Sequence, residues 1–164
     1  MVSIRRASIA DADRVSEILT AAAKWLEDEG MPQWKGDELH PQHTRTDIEA
    51  ELFYVAERDG VIAGVVKFQL EDQLFWPDLP AGEAAFVHRL AVDRDHAATG
   101  VGEALLNWAA KETRSIGRKF LRLDCEASRP RLRAFYERCG FRHHSDRQVG
   151  PYFVSRYERL VTLT

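Results

Sequence analysis

The stretch His88-Arg89-Leu90-Ala91-Val92-Asp93-Arg94-Asp95-His96-Ala97-Ala98-Thr99-Gly100-Val101-Gly102-Glu103-Ala104-Leu105-Leu106 decides how this chain folds. Its apolar beginning reads as the end of a strand, its polar middle as a short loop, and the residues after Gly100 as a helix. The first turn of a helix leaves backbone N–H groups without acceptors and carries the positive end of the helix dipole. A strand, a glycine-bearing loop and a helix N-terminus in that order make a seat for a phosphate-bearing ligand.

Working outward, Ala84 to Val92 reads as the strand, and Gly100 to about Ile116 as the helix, with Gly117 stopping it. Upstream, Val2 to Ala7 reads as a strand. Asp11 then caps a helix whose apolar face is Val15, Ile18, Leu19, Ala22 and Leu26, ended by Gly30. Met31 to Pro41 reads as irregular, and Thr44 to Leu52 as a short helix. The runs Phe53 to Glu57 and Val61 to Leu70 flank Arg58-Asp59-Gly60, a hairpin signal. Downstream, Phe120 to Cys125 reads as a strand, and Ser128 caps a helix with Pro130 in its tolerant first turn. Phe141 to Ser145 and Tyr152 to Leu160 read as closing strands. The order β-α-α-β-β-β-α-β-α-β-β predicts a mixed α/β sheet and not a strictly alternating one.

The chain has 164 residues, 45% of them hydrophobic and 30% charged, which predicts one domain over residues 1–164. A net charge of −3 argues against nucleic acid as a partner. No apolar stretch reaches the ~20 residues that span a bilayer, and Met1 is followed by Val2-Ser3-Ile4-Arg5-Arg6 with no apolar run long enough for a signal peptide, so a cytoplasmic protein is expected. Cys125 and Cys139 read as reduced thiols. His40, His43, His96, His143 and His144 show no metal-ligand spacing, so no metal is expected.

Three segments together resemble the GCN5-related N-acetyltransferases (GNAT). They are the strand ending Leu90-Ala91-Val92, the loop and helix start Ala97-Ala98-Thr99-Gly100-Val101-Gly102, and Tyr136-Glu137-Arg138-Cys139-Gly140-Phe141. The second resembles a family pattern of Arg or Gln, two variable residues, Gly, any residue, then Gly or Ala. The third resembles the family's Tyr-Glu-x-x-Gly-Phe. Ala97 departs from the pattern's Arg or Gln, and Arg129 stands where many members carry Asn.

The resemblance implies an α+β fold with a mostly antiparallel sheet of about six or seven strands, about four helices and two splayed central parallel strands. It implies acetyl-CoA as co-substrate. Leu90, Ala91 and Val92 would pair with the pantetheine arm, while Ala97, Ala98, Thr99, Gly100, Val101, Gly102 and Glu103 surround the pyrophosphate and Arg129 approaches the phosphates. Tyr136 is the implied acid for the departing sulfur. His88 coincides with a strand histidine of the arylalkylamine branch and is the candidate base, its ordinary pKa near 6.5 suiting that work. Phe86 fills the place where the histone-modifying branch keeps a glutamate, and Glu83 is a second candidate base.

The resemblance also implies an acceptor pocket built from the first two helices, their connection and the loop before the strand of His88, which makes Trp34, Trp76 and Phe86 the candidate acceptor-binding residues, with Trp25 and Phe75 in the same segments; aromatic walls suit an amine with a flat or apolar body. Trp108 has the spacing of a core residue. The reading is therefore an N-acetyltransferase acting on a primary amine of a small molecule by direct attack in a ternary complex. Acetylation of a protein or peptide N-terminus and a non-catalytic acyl-CoA-binding module are the alternatives. Tyr152 to Leu163 is apolar enough for a homodimer contact.

Overall fold

Strand β4 occupies Ala84–Val92, the span read from the sequence, in the computed structural model that describes residues 1–34 and 37–162. Gly36, inside the segment expected to be irregular, and Leu163, inside the apolar C-terminal stretch, lie outside the described residues. The other strands are β1 (Val2–Arg6), β2 (Phe53–Arg58), β3 (Val61–Gln69), β5 (Phe120–Glu126), β6 (Arg142–Val149) and β7 (Tyr152–Leu160). The helices are α1 (Ala12–Asp28), α2 (Pro41–Glu49), α3 (Val101–Ser115) and α4 (Pro130–Arg138). The strands form one sheet in the order β1-β2-β3-β4-β5-β7-β6, mostly antiparallel, with β4 and β5 as its parallel pair.

By contacts the chain divides into two units, one of residues 1–67 and 89–105, the other of residues 68–88 and 106 onward. In the first, β2 pairs antiparallel with both β1 and β3. Asp59 (φ 52°) and Gly60 (φ 80°) make the hairpin turn with two positive φ angles, the reason Asp-Gly marked it. Helix α1 buries Val15, Ile18 and Leu19 against Ile48, Phe53, Val55, Val65 and Ala91, each large side chain worth roughly 1.5–3 kcal/mol of transfer from water. Gly64 of β3 lies under the start of α3. A Cβ there would meet Val101 Cγ1 at 2.8 Å, Leu105 Cδ1 at 3.1 Å and the Ala91 carbonyl at 3.2 Å.

Several ends differ from the sequence reading. Asp11 holds the N-cap position of α1, as read, but its side chain makes no cap bond: the carboxylate turns back to accept from the Ser8 N–H at 2.7 Å and from Arg5 Nη1 at 2.8 Å. Helix α2 starts at Pro41, not Thr44, because the His40 ring accepts from the Gln42 N–H at 3.1 Å and Pro41 sits where no N–H is needed. Helix α4 has Arg129, not Ser128, at its N-cap; the Ser128 hydroxyl points to Glu126 at 3.4 Å.

In the second unit, β7 pairs with β5 on one edge and β6 on the other. The hydrogen-bonding edges of β7 are thus occupied, although Phe153 and Leu160 stay exposed. Trp76, Ala84 and Phe86 form a buried cluster with Phe75, Leu79 and Phe120 packed on it. Residues 70–83, between β3 and β4, are strapped down by arginines. Arg118 Nη1 donates to the Leu70 carbonyl at 2.9 Å, Arg122 pairs with Glu83 at 2.7 Å, and Arg156 donates to the Phe75 carbonyl at 3.0 Å. Arg156 also holds Asp78 through two bonds of 2.7 and 3.0 Å. A segment without regular structure is thereby fixed in place.

Candidate active site

The residues quoted first form a loop whose backbone is bent twice into the left-handed region, at Ala98 (φ 59°) and Gly100 (φ 87°). Glycine meets no Cβ penalty there, whereas Ala98 does. The first intrahelical bond of α3 runs from the Ala104 N–H to the Gly100 carbonyl at 3.0 Å. The N–H groups of Val101, Gly102 and Glu103 therefore precede the ladder and have no acceptor within the helix.

Side chains hold the loop open. Asp93 accepts from the Asp95 N–H at 3.0 Å and is paired with Arg14; the Thr99 hydroxyl donates to the His96 carbonyl; and Arg58 Nη1 donates to the Thr99 carbonyl at 3.3 Å. With no Arg or Gln at position 97, cohesion comes from these contacts and the backbone. Arg94 lies over the Trp25 ring, its guanidinium 3.9 Å from the centroid.

In the other unit, the parallel ladder joins Ala84, Ala85 and Phe86 to Phe120, Leu121 and Arg122 and stops there. Two residues on, His88 and Asp124 share the parity of the last pair, Phe86 and Arg122. The next residue of β4, Arg89, has φ 55°, a left-handed conformation that costs a long side chain energy and breaks the strand's alternation. Phe86, His88, Leu90 and Val92 therefore do not form one uninterrupted face. Ala84, Ala85, Phe86 and Val87 are all buried, while His88, Arg89 and Leu90 are partly exposed.

His88 Nε2 lies 2.9 Å from Asp72 Oδ2, in a side chain only 5% exposed. Asp72 is itself fixed by N–H groups of Phe75 (2.9 Å) and Leu74 (3.1 Å) donating to its other oxygen. Burial pushes the Asp72 carboxyl up, but the contact with His88 and the two backbone donors outweigh it, leaving it below the ordinary carboxylate value. Asp124 joins the pair: one donor or acceptor atom from each of Asp72, His88 and Asp124 lies within 4.8 Å of the others. Its Oδ2 is buried with no hydrogen-bond partner among the described residues. Burial raises Asp124 to about 6, and Asp72 pushes the same way, against His88 and Arg156.

Tyr136 in α4 is buried, and desolvation lifts its phenol well above the usual tyrosine value, so it stays protonated. Its ring neighbours are Phe135, Phe141 and Tyr157. Cys125 is pushed up to about 12 by burial, which keeps it a thiol and removes it as a nucleophile. Arg129 is buried at the start of α4, and desolvation lowers its pKa from the ordinary arginine value. Glu83 is held by buried Arg122, whose other partner is Glu158 at 3.0 Å. That pairing ties Glu83 to a structural charge.

The aromatic residues divide. Trp76 is 2% exposed, lying against Phe86 and beneath the guanidiniums of Arg122 (5.2 Å) and Arg156 (4.6 Å). With Phe86, Leu70, Asp72 and Leu79 it lines a pocket. Phe75 lies 6.2 Å from the His88 ring, centroid to centroid. Trp34 packs on the first unit's core, with Arg89 5.9 Å over its ring. Trp108 packs against Phe68 at 5.6 Å, as its spacing predicted. The sequence reading gave Asp72 no part, and no local pattern marks it: it sits in an irregular segment 16 residues before His88.

A glycine-bent loop before a helix, a parallel strand pair that stops short, and a tyrosine in the helix after the second strand define a class. Residues 16–141 match the model of the Acetyltransferase (GNAT) family, and this chain belongs to that family. A relative from Bacillus subtilis (strain 168), the uncharacterized N-acetyltransferase YesJ, is 33% identical over 139 residues, covering 80% of this chain and 76% of that protein. A GNAT-family acetyltransferase structure from Listeria monocytogenes 4b F2365 superimposes with a TM-score of 0.78 at 25% identity, covering 96% of this chain and 94% of that one. YncA of Salmonella typhimurium, a putative acetyltransferase solved with its cofactor acetyl-CoA, shares the fold at a TM-score of 0.75 and 18% identity, covering 100% of this chain and 96% of its own. Among the described residues, no helix is long and apolar enough to cross a membrane.

Proposed function

We propose that the chain is a single-domain cytoplasmic N-acetyltransferase moving an acetyl group from acetyl-CoA to a primary amine of a small molecule. The observation that carries this reading is the loop into α3, with left-handed Ala98 and Gly100 and the free first N–H groups of the helix. Backbone donors at a helix N-terminus bind an anion whatever side chain stands at position 97. Ala97, Ala98, Thr99, Gly100, Val101, Gly102 and Glu103 hold the pyrophosphate, and Arg129 adds a cation toward the phosphates. Leu90, Ala91 and Val92 offer backbone groups to the pantetheine amides.

The reaction needs an uncharged amine, a thioester carbonyl open to attack and a proton for the departing sulfur. His88 takes one proton from the acceptor's ammonium. The nitrogen lone pair then forms the C–N bond, the C–S bond breaks, and the sulfur leaves with a proton supplied through the Tyr136 hydroxyl. The nitrogen's second proton restores that hydroxyl. A buried phenol is suited to this because it is still protonated when the thiolate appears. Cys125, held as a thiol by burial, supports direct transfer without an acyl-enzyme. Phe86 and Trp76, which line the same pocket as Asp72, contribute its apolar wall for the acceptor.

The test is thiol release from acetyl-CoA across a panel of arylalkylamines, polyamines, aminoglycosides and short peptides, with amine-free controls. Amine-dependent release is expected for small amines. Release with peptides alone moves the acceptor to a protein N-terminus. Binding of coenzyme A with no release on any acceptor makes the chain a binding module.

A further inference from the structure

Near His88 the geometry contains more than a lone base. Asp72 reaches Nε2 at 2.9 Å from a strapped segment, Asp124 stands on β5 two residues past the end of the parallel ladder, and the three groups lie within 4.8 Å of one another. We propose that Asp72, His88 and Asp124 act as one proton-accepting cluster, in which Asp72 is a positioning residue that fixes the imidazole through Nε2 and Asp124 shares the proton that His88 takes from the amine. The proposal rests on the acetyltransferase reading and names residues for which neither the family match nor the sequence motifs give a role.

Three physical arguments support it. First, a carboxylate oxygen 2.9 Å from Nε2 repels a lone pair there and so favours the ring hydrogen on that nitrogen, leaving Nδ1 as the lone-pair nitrogen, although the contact is an ion-pair approach and not an aligned hydrogen bond. Asp72 is able to impose this because two backbone N–H groups and the arginine straps fix its own position. Second, two carboxylates this close in a largely buried place disfavour being ionised together, so the cluster accepts an arriving proton readily and shares it among its members. Burial raising Asp124 to about 6 agrees with that placement. Third, Asp72 Oδ2 and Asp124 Oδ2 are both buried without a hydrogen-bond partner among the described residues, and buried acceptors of that kind call for a donor, which a shared proton supplies.

Other charged or titratable groups also act on Asp124 and its neighbours. Arg156 stands opposite Asp124 on β7, Tyr136 and Cys125 both feel the Asp124 charge, and the uncharged ring of Phe75 lies beside His88. Arg156 is committed to Asp78 and the Phe75 carbonyl, so it offsets the cluster's negative charge without bonding to it. In the proton step, one N–H bond of the acceptor ammonium breaks and its proton moves to His88. From there it is shared with Asp124 and released to water, and no oxidant or reductant takes part.

The experiment uses the full chain and has two arms. Nitrogen NMR of the His88 ring, in free protein above neutral pH, is expected to show hydrogen on Nε2, with that preference lost in Asp72→Ala. Separately, kcat/KM against pH is measured for the best amine of the panel. Removing either negative charge makes the imidazolium less favourable, so Asp72→Asn and Asp124→Asn are expected to move the acidic limb down by about one pH unit, the shift a neighbouring charge commonly produces. kcat should fall about tenfold or more, with coenzyme A affinity within twofold of wild type.

A ring carrying its hydrogen on Nδ1, or limbs that stay in place in both variants, overturns the proposal. Activity lost on exhaustive chelation and restored by zinc or manganese also overturns it, since the same three groups would then be metal ligands. The two readings fail separately: no amine-dependent turnover in wild type removes the acetyltransferase, whereas a limb that disappears in His88→Ala but stays fixed in Asp72→Asn and Asp124→Asn removes only the cluster.

Discussion

Gly64→Ala probes the link between packing and the cofactor loop with a single methyl group. The added Cβ would lie 2.8 Å from Val101 Cγ1, 3.1 Å from Leu105 Cδ1 and 3.2 Å from the Ala91 carbonyl oxygen. Ordinary carbon contacts are about 3.5–4.0 Å, so the first shortfall is roughly 0.7 Å or more. The side chains of Val101 and Leu105 can turn, at about 0.5–1.5 kcal/mol for an off-rotamer angle, but the Ala91 carbonyl belongs to a strand and cannot. Overpacking of this kind costs about 1–3 kcal/mol, against a gain of roughly 0.5–1 kcal/mol for replacing glycine in a strand. The net loss centres on about 1.25 kcal/mol (about 0–2.5 at the ends of these ranges), or about 2.5–5 °C in Tm for a chain of this size.

Because Val101 opens α3, relief of the clash displaces the N–H groups assigned to the pyrophosphate. Coenzyme A affinity should then fall about tenfold, or about 1.4 kcal/mol. Denaturant melts and calorimetry measure the two effects on the same sample. Adding Val101→Ala removes the tightest contact, so the double variant should be less destabilised than the sum of the singles by about 1 kcal/mol. A Gly64→Ala protein as stable as wild type, with unchanged coenzyme A binding, would refute the packing argument.

Three further outcomes are expected. Tyr136→Phe should lower kcat by about a hundredfold, the lower range for a lost proton donor, while leaving coenzyme A affinity within about twofold; steady-state kinetics with calorimetry decide this. The Asp11 carboxyl is lowered to about 2, chiefly by its bond to Arg5, from an ordinary 3.8. Its contribution is therefore present above pH 4 and lost as the pH falls toward 2, so Asp11→Asn should be destabilised at pH 7 and match wild type near pH 2 in urea melts. Cys125, with its thiol pushed up to about 12, should resist a disulfide reagent at pH 8 in the native protein and react in denaturant.

Much of the frame was legible because its signals are local. Asp59-Gly60 demands a tight turn, Val15, Ile18 and Leu19 recur at helical spacing, and β4 spans its expected residues. Boundaries were missed where a cap was unconventional. The His40 ring caps α2, whose first residue, Pro41, lies three before the expected start, and Arg129 replaces Ser128 at the head of α4. Arg89 breaks the alternation of β4, and a left-handed residue in a strand leaves no trace in an apolar run. The glycine loop and Tyr136 were readable as motifs. Asp72 was not, since its place beside His88 depends on how Arg118, Arg122 and Arg156 strap an irregular segment, a long-range arrangement with no periodicity.

The central claim is that the turn at Gly100 and the first N–H groups of α3 hold the diphosphate of coenzyme A. Calorimetric titration of coenzyme A into wild type and Gly100→Val tests it most directly, because valine resists the φ of 87° that the turn requires. The account predicts saturable binding to one site in wild type and at least tenfold weaker binding in the variant, with the fold retained by circular dichroism. Absence of binding to wild type, or equal affinity in both proteins, would contradict it.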